Sequence, residues 1–441
     1  MENRKQIVSN GLANMGIAHL TPMQEEVIEA VEEHPEVVVL SPTGSGKTLA
    51  FLIPIVHHLR PNAGFVQALV LTPTRELALQ IEQVFRHLKT RFKVVCCYGG
   101  HPFWMEANSL KEPPALLVGT PGRIADHIRR GTISPELVSF LVLDEFDKCL
   151  ELGFDEEMAQ IMENLENLGK KVLTSATDAL EIPPFVGLNS PHKLSYLDGP
   201  STTERLELKI VRSEHHDKFG ALVNLICQLG ESTMLVFVNH RDAADRLCTM
   251  LMEEGIISDV FHGGLEQPER ERSLIKFRNG SIKILVATDL ASRGLDIPEI
   301  GHVVHYQLPE TEEAFVHRNG RTARMKANGC AVLVLAESED LPHYASTDIE
   351  QLPLSKEAEL PPQPDWTTIY IGAGKKDKLS KVDVVGFLIQ KGGIEKSDIG
   401  RIDILDKSAF VAVRRQLAHE LVKAVRNQPV KKLKPTIGVS W

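Results

Sequence analysis

Long apolar runs are missing from this sequence: its longest uninterrupted stretches, such as Thr48–Val56, span fewer than ten residues. A bilayer-spanning helix needs about 20, so membrane insertion is excluded and no membrane partner is expected. An apolar leader is missing too. The chain begins Met1-Glu2-Asn3-Arg4-Lys5, so a cytoplasmic location is expected rather than secretion. Cysteine is scarce, and none of Cys96, Cys97, Cys149, Cys227, Cys248 and Cys330 shows a CxxC spacing. Neither a disulfide framework nor a zinc framework is expected.

What is present is ordinary globular composition: 441 residues, 43% apolar and 24% charged. At about 150 residues per domain, that length suggests roughly three domains. The net charge of −10 is unevenly spread, because residues 366–441 hold 15 Lys and Arg against 7 Asp and Glu. The tail therefore carries +8 and residues 1–365 carry −18. A basic tail on an acidic body points to a polyanionic partner for the tail.

The first 340 or so residues repeat a short β-branched run, a small or polar loop and an amphipathic stretch. The runs Glu36–Leu40, Ala68–Leu71, Ala115–Val118, Phe140–Leu143 and Lys171–Thr174 are almost wholly apolar and do not alternate. That pattern suits strands buried on both faces of a parallel sheet. It breaks near Asn189–Ser201 and restarts with Met234–Val238, Asp259–Phe261, Ile282–Ala287, His302–Tyr306 and Cys330–Leu335. Strand–helix alternation of this kind predicts two doubly wound parallel-sheet α/β domains. They are placed at residues 1–193 and 206–338, followed by a Pro- and acid-rich extended linker at 339–365. Residues 366–441 read as βαββαβ, a small α+β domain of the ferredoxin or RNA-recognition-motif (RRM) type.

Ser41-Pro42-Thr43-Gly44-Ser45-Gly46-Lys47-Thr48 lies between an apolar strand and an apolar helix. The glycines let backbone N–H groups face phosphate oxygens, and the helix N-terminus adds partial positive charge. Lys47 can reach the outer phosphates and the Thr48 hydroxyl can ligate Mg²⁺. Asp144, at the end of the strand Leu141-Val142-Leu143, is placed to hold Mg²⁺ through water, and Glu145 to activate the attacking water. Arg321 and Arg324 share a helix face at i and i+3, and can converge on one anion as fingers donated to ATP from the second lobe.

In order and spacing, this series resembles the DEAD-box RNA helicases from about residue 15 to 330. The resemblance implies two RecA-like domains, ATP and Mg²⁺ as cofactors, and RNA as partner. It implies that Gln24 reads adenine and that Thr43, Gly44, Ser45, Gly46, Lys47 and Thr48 form the phosphate loop. Asp144 to Asp147 match the acidic signature, with Asp147, Ser175, Thr177 and His317 coupling hydrolysis to strand opening. Arg75, Gly100, Thr120 and Arg123 match RNA contacts of the first lobe. Asn239, Gln267, Arg270 and Thr288 match those of the second. Asp296 matches a ribose contact of ATP. Three positions depart from the pattern. Phe146 stands where the family has alanine, which would put a large side chain beside Mg²⁺. Ala323 replaces a glycine, and Ile7 lies near the place of an absent adenine-stacking aromatic.

The tail segments Ile369–Leu379 and Asp398–Ile402 resemble the C-terminal RNA-binding domain of DbpA-type bacterial helicases. That implies a structured ribosomal RNA target and a part in ribosome biogenesis. Tyr370 and Phe410 alone could stack bases there, so contacts from Lys375, Lys376, Lys378 and Arg414/Arg415 to phosphates are favoured. A flexible tether is expected to raise the effective concentration of nearby duplexes. The function read from the sequence is thus an ATP-hydrolysing RNA helicase that separates short duplexes or remodels RNA–protein complexes. An ATP-gated RNA clamp and a DNA helicase stand as alternatives.

Overall fold

A computed structural model of the chain describes residues 2–42, 44–178, 182–197, 206–214, 217–292, 300–322, 329–345, 349–355, 359–431 and 433–440. It falls into two compact units, one holding the described residues up to 197 and the other those from 206 onward.

In the first unit, α1 (Glu2–Asn14) and α2 (Pro22–Glu33) lead into β1 (Glu36–Leu40) and α3 (Lys47–His58). Then β2 (Ala68–Leu71), α4 (Arg75–His87), β3 (Val94–Cys97), α5 (Phe103–Leu110), β4 (Leu116–Gly119) and α6 (Pro121–Arg129) alternate. The unit continues with β5 (Phe140–Leu143), α7 (Phe146–Glu151), α8 (Asp155–Glu163), β6 (Lys170–Ser175) and β7 (His192–Ser195). Every pairing in the sheet is parallel, in the order β3-β4-β2-β5-β6-β1-β7. The apolar runs explain this arrangement: β2, β4 and β5 are buried along their whole length. Alternate residues feed two separate cores. Val37 and Val39 join the core that holds Phe51 and Phe85, whereas Val38 and Leu40 join the one that holds Phe146 and Met158.

The second unit repeats this architecture with β8 (Leu206–Arg212), α9 (Lys218–Leu229), β9 (Met234–Phe237), α10 (Arg241–Glu253), β10 (Ser258–Phe261) and α11 (Gln267–Arg278). Next come β11 (Ile284–Ala287), β12 (His302–His305), α12 (Glu312–Asn319), β13 (Gly329–Leu335) and β14 (Glu350–Gln351), in sheet order β10-β11-β9-β12-β13-β8-β14. All of these pairings are parallel as well.

The same unit ends in a four-stranded antiparallel sheet, ordered β16-β17-β15-β18. It is built from β15 (Trp366–Ile371), α13 (Lys381–Gly392), β16 (Ile399–Ile404), β17 (Ala409–Arg414), α14 (Arg415–Val425) and β18 (Ile437–Val439). Ile369, Ile371, Val411 and Val413 face the two helices and form its core. Trp366, Thr368 and Tyr370 therefore point to the opposite face.

The Pro- and acid-rich segment after β13 is partly bound. β14 pairs with β8, and Leu341, Tyr344, Ala345 and Ile349 pack on a cluster containing Ile210 and Phe315.

Candidate nucleotide and RNA sites

The phosphate loop follows β1, whose register sets Leu40 opposite Ser175 at the end of β6. The Ser41 N–H then donates to the Ser175 carbonyl at 3.0 Å, so Ser175 and Thr177 sit beside the loop. The Ser175 hydroxyl and the Thr177 backbone close a small turn, 2.8 Å to its carbonyl and 3.1 Å from its N–H. Gly44 and Gly46 both have positive φ. At Gly46 (φ +94°) a Cβ would lie 2.4 Å from Gln24 Nε2, so only glycine fits. That amide donates to the Gly46 carbonyl at 3.1 Å, while Gln24 Oε1 accepts from the Thr21 N–H at 2.9 Å. Gln24 is thus the third residue of a capping box on α2 and also a clamp on the loop.

Lys47 opens α3 with 8% of its surface exposed, and its ammonium donates to the Ser41 and Pro42 carbonyls. Burial pushes its pKa down, while Asp144, Glu145 and Asp147 oppose that shift. Asp144 follows β5 and accepts from the Thr174 hydroxyl at 2.6 Å; the same hydroxyl accepts from the Glu145 N–H at 3.1 Å. Burial raises the pKa of Asp144 and of Asp147, against the pull of Lys47 on both. Lys148 Nζ lies 3.9 Å from Asp147. Glu145 occupies the left-handed region (φ +49°, ψ +52°) immediately before α7.

The Phe146 side chain is completely buried and packs in the core cluster with Leu143, Met158 and Leu173 at the start of α7. Thr43 lies outside the described residues.

The first-lobe residues expected at RNA converge at the carboxyl ends of β2, β3 and β4. Gly100 adopts φ +100°, and a Cβ on it would lie 2.2 Å from Arg75 Nη1. The Arg75 guanidinium therefore lies directly over the glycine. Thr120 precedes α6, and Arg123 in its first turn donates to the Tyr98 carbonyl at 3.2 Å and the His101 carbonyl at 2.8 Å. Sequence reasoning missed what stands beneath this group: Glu106 of α5. Burial raises its pKa, but hydrogen bonds from His101, His127 and the Tyr98 N–H, with Arg123 beside it, hold it down at about 2.

A folded-state pKa below the ordinary 4.5 gives stability that is complete above 4.5 and is lost as pH falls toward about 2. At about 1.36 kcal/mol per unit, the contribution is on the order of 3 kcal/mol. Glu106→Gln is therefore expected to melt lower than the parent at neutral pH, the gap narrowing steadily between pH 5 and 2. Thermal unfolding followed by circular dichroism across that range checks this; a gap independent of pH would refute it.

In the second lobe, Asn239 follows β9, and Thr288 follows β11. The Asn239 side chain donates to the Leu308 carbonyl at 3.0 Å and accepts from Arg318 at 2.9 Å. Arg318, fully buried, also bonds Asp289 at 2.6 and 3.1 Å and the Gln307 carbonyl at 2.8 Å. This arginine, absent from the sequence-based site residues, ties β9, β11, β12 and α12 together at their loop ends. Gln267 and Arg270 are both buried along α11, and Gln267 bonds Glu271 at 3.2 Å. His317 is buried near the end of α12, and Arg321 in the turn that follows it. Asp296, Ala323 and Arg324 lie outside the described residues.

In the tail, Lys375, Lys376 and Lys378 are exposed on the turn after β15, with Lys376 3.3 Å from Asp406. Tyr370 and Phe410 are cross-strand partners, edge to face at 5.5 Å. Arg415 contradicts the expected phosphate contact. Its guanidinium donates to the carbonyls of Pro364 (2.5 Å), Trp366 (2.8 Å) and Ser281 (3.1 Å). Arg414 lies over the Trp366 ring at 4.5 Å and pairs with Asp365 at 2.9 Å.

The flexible tether is corrected by the same contacts. Thr368, fully buried, sits 2.8 Å from both Asn279 Nδ2 and Ser281 Oγ, so the outer face of the small sheet docks on the turn between α11 and β11. That turn leads into β11, at the opposite rim of the sheet from Asn239 and Thr288.

Among the described residues, no helix is long and apolar enough to cross a membrane. All six cysteines are unpaired.

Residues 21–182 match the DEAD/DEAH box helicase family, 217–326 the helicase conserved C-terminal domain and 368–438 the DbpA RNA binding domain. The chain is 34% identical over 433 residues to ATP-dependent RNA helicase DbpA of Escherichia coli (strain K12), covering 95% of this chain and 94% of that protein. It is 31% identical over 456 residues to DbpA of Bacillus subtilis (strain 168), covering 96% and 95%. Its structure is similar to that of Mss116p (NTE and C-tail double deletion) bound to ssRNA and AMP-PNP, with TM-score 0.69 and 26% identity over 80% of this chain and 78% of that one. It is also similar to S. cerevisiae Dbp5 bound to RNA and ADP BeF3, with TM-score 0.65 and 25% identity over 75% and 88%. Motifs, sheets and relatives agree: the chain belongs to the DEAD-box ATP-dependent RNA helicases, RNA-stimulated ATPases, and carries a DbpA-type RNA-binding domain.

Proposed function

We propose that this chain hydrolyses ATP to separate short RNA duplexes or remodel RNA–protein complexes, and that its tail directs it to structured ribosomal RNA during large-subunit assembly in the cytoplasm. The observation that carries the chemistry is Lys47, buried among Asp144, Glu145 and Asp147 at the carboxyl ends of parallel strands. Open α/β sheets bind their ligands at these ends. Three buried carboxylates against Lys47 and Lys148 leave net negative charge, and their hard oxygens suit Mg²⁺. Asp144 and Thr48 would hold that ion, which would neutralise charge on the phosphates.

Glu145 then orients and deprotonates water, and Gln24 exchanges its grip on Gly46 for adenine. In this reading Asp296 meets the ribose of ATP, and Arg321 and Arg324 complete the γ-phosphate site, with His317, Asp147, Ser175 and Thr177 coupling it to RNA. Arg75, Gly100, Thr120, Arg123, Gln267, Arg270 and Thr288 lie along the strand, and Asn239 orders the second-lobe loops. Contacts to phosphates carry no sequence information, so target choice falls to residues 366–441, through Lys375, Lys376 and Lys378.

The alternatives are an ATP-gated RNA clamp with little turnover and a DNA helicase. The test is phosphate release with single-stranded RNA, single-stranded DNA or neither. RNA is expected to stimulate at least about tenfold more than DNA, through contacts to the 2′-OH, and Glu145→Gln to abolish the stimulated rate. Equal stimulation by DNA would replace the RNA reading. Residual RNA-stimulated release in Glu145→Gln would remove the general-base assignment.

A further inference from the structure

Glu106 has no role in the phosphate machinery, yet it is a buried carboxylate at which four elements meet. Its Oε1 accepts from the Tyr98 N–H at 2.7 Å and lies 3.0 Å from His101 Nε2. Its Oε2 lies 2.8 Å from His127 Nε2 and 3.2 Å from Arg123 Nε. The Thr132 hydroxyl, 2.6 Å from His127 Nδ1, fixes that ring from the other side. The carboxylate thus ties the end of β3, the loop 98–101, α5 and α6 to one point.

A metal site is the other chemistry such a cluster suggests, since Cys97, Glu106 and His127 bring ligand atoms within 4.8 Å of one another. The geometry opposes it. Both nitrogens of His127 are already engaged, and the guanidinium of Arg123 shares the Glu106 oxygen that a cation would need. A charge-assisted hydrogen-bond node is what these partners build.

We propose that Glu106 is a positioning residue for RNA: it holds the Tyr98–His101 loop beneath Arg75 and aims the guanidinium of Arg123 at the strand's phosphates. The Arg123 bonds to Tyr98, His101 and Glu106 use Nε and Nη2, and Nη1 takes part in none of them. A pinned guanidinium loses less entropy on meeting a phosphate than a mobile one. The inference rests on the reading of Arg123 and Gly100 as RNA contacts.

The test uses the full chain and measures the RNA concentration for half-maximal ATPase stimulation beside the KM for ATP at saturating RNA. Glu106→Ala is expected to raise the RNA requirement about tenfold, the cost of roughly one charge-assisted hydrogen bond, with the KM for ATP unchanged. Glu106→Gln keeps one acceptor oxygen for two pairs of donors and is expected to fall between parent and alanine variant. In an Arg123→Ala background, Glu106→Ala should add no more than about twofold, because the group it aims is gone.

Three results overturn the proposal. If Arg123→Ala raises the RNA requirement and folded Glu106→Ala or Glu106→Gln does not, positioning fails while the RNA reading stands. If Arg123→Ala itself leaves the requirement unchanged, the RNA reading of Arg123 fails and the proposal goes with it. A KM for ATP that rises in step with the RNA requirement would mark Glu106 as a structural support only. Should the alanine variant not fold, the glutamine variant decides.

Discussion

Lys47→Ala will lose ATP turnover by about 10³-fold or more, because the variant removes the phosphate-loop cation that the structure places among the acidic side chains of the nucleotide site. Lys47 is held there by the Ser41 and Pro42 carbonyls, so protein groups fix its position. Prepared charge of this kind is worth about 10²–10³ in rate for a single donor in an oxyanion hole, and a phosphoryl transfer concentrates more charge. The same substitution takes an opposing charge from buried Asp144 and Glu145, while Asp147 keeps Lys148 at 3.9 Å. A lower melting temperature is expected beside the lost activity, since buried carboxylates lose a charge that opposes theirs. Added Mg²⁺ should recover part of that stability and none of the turnover. Phosphate release by a folded Lys47→Ala protein at the parent rate would remove Lys47 from the mechanism.

The second large effect concerns the tail. Thr368→Val combined with Arg415→Ala is expected to free the small domain from the second lobe. The valine faces Asn279 and Ser281 with a methyl where a hydroxyl met both. Each buried polar group left unmatched costs about 1–3 kcal/mol. The alanine strips three backbone carbonyls of their shared donor. Small-angle scattering should show a larger radius of gyration, and protease should cut within residues 339–365 faster than in the parent. Function should respond in a particular way. With the domain docked, an anchored RNA lies at a fixed distance from the second lobe, so ATPase stimulation should depend sharply on the spacing between anchor and duplex. The freed domain should flatten that dependence, lowering stimulation at the best spacing by about tenfold. An unchanged radius and an unchanged spacing profile would refute the docked arrangement.

Much of the fold could be read from pattern, for a physical reason. Strands buried on both faces need uninterrupted β-branched runs, and Glu36–Leu40, Ala68–Leu71 and Phe140–Leu143 coincide with β1, β2 and β5. Of the strands not anticipated, β3 is an apolar run, Val94–Cys97, at the sheet edge that the pattern reading omits. The other three lack such a run: β7 is His-Lys-Leu-Ser inside the segment read as a break. β8 alternates charge with apolar residues, and β14 is two exposed polar residues. Gly46, Lys47, Asp144 and Glu145 were legible because phosphate chemistry demands residue types at fixed spacing. Glu106 and Thr368 were not. Glu106 carries no spacing signal within α5, and Thr368 meets a turn almost ninety positions earlier in the chain. Both work through contacts that only folding brings together. Nothing in the sequence says that the Arg318 guanidinium is spent on Asp289, Asn239 and Gln307.

The left-handed backbone of Glu145 carries a consequence for laboratory evolution. A non-glycine residue at φ +49° stores about 1 kcal/mol or more of strain, which glycine or asparagine would relieve. A library screened for heat resistance alone should therefore enrich those two residues at position 145 and yield sturdier, inert protein. Screening the same library for turnover should restore glutamate and give the heat tolerance back.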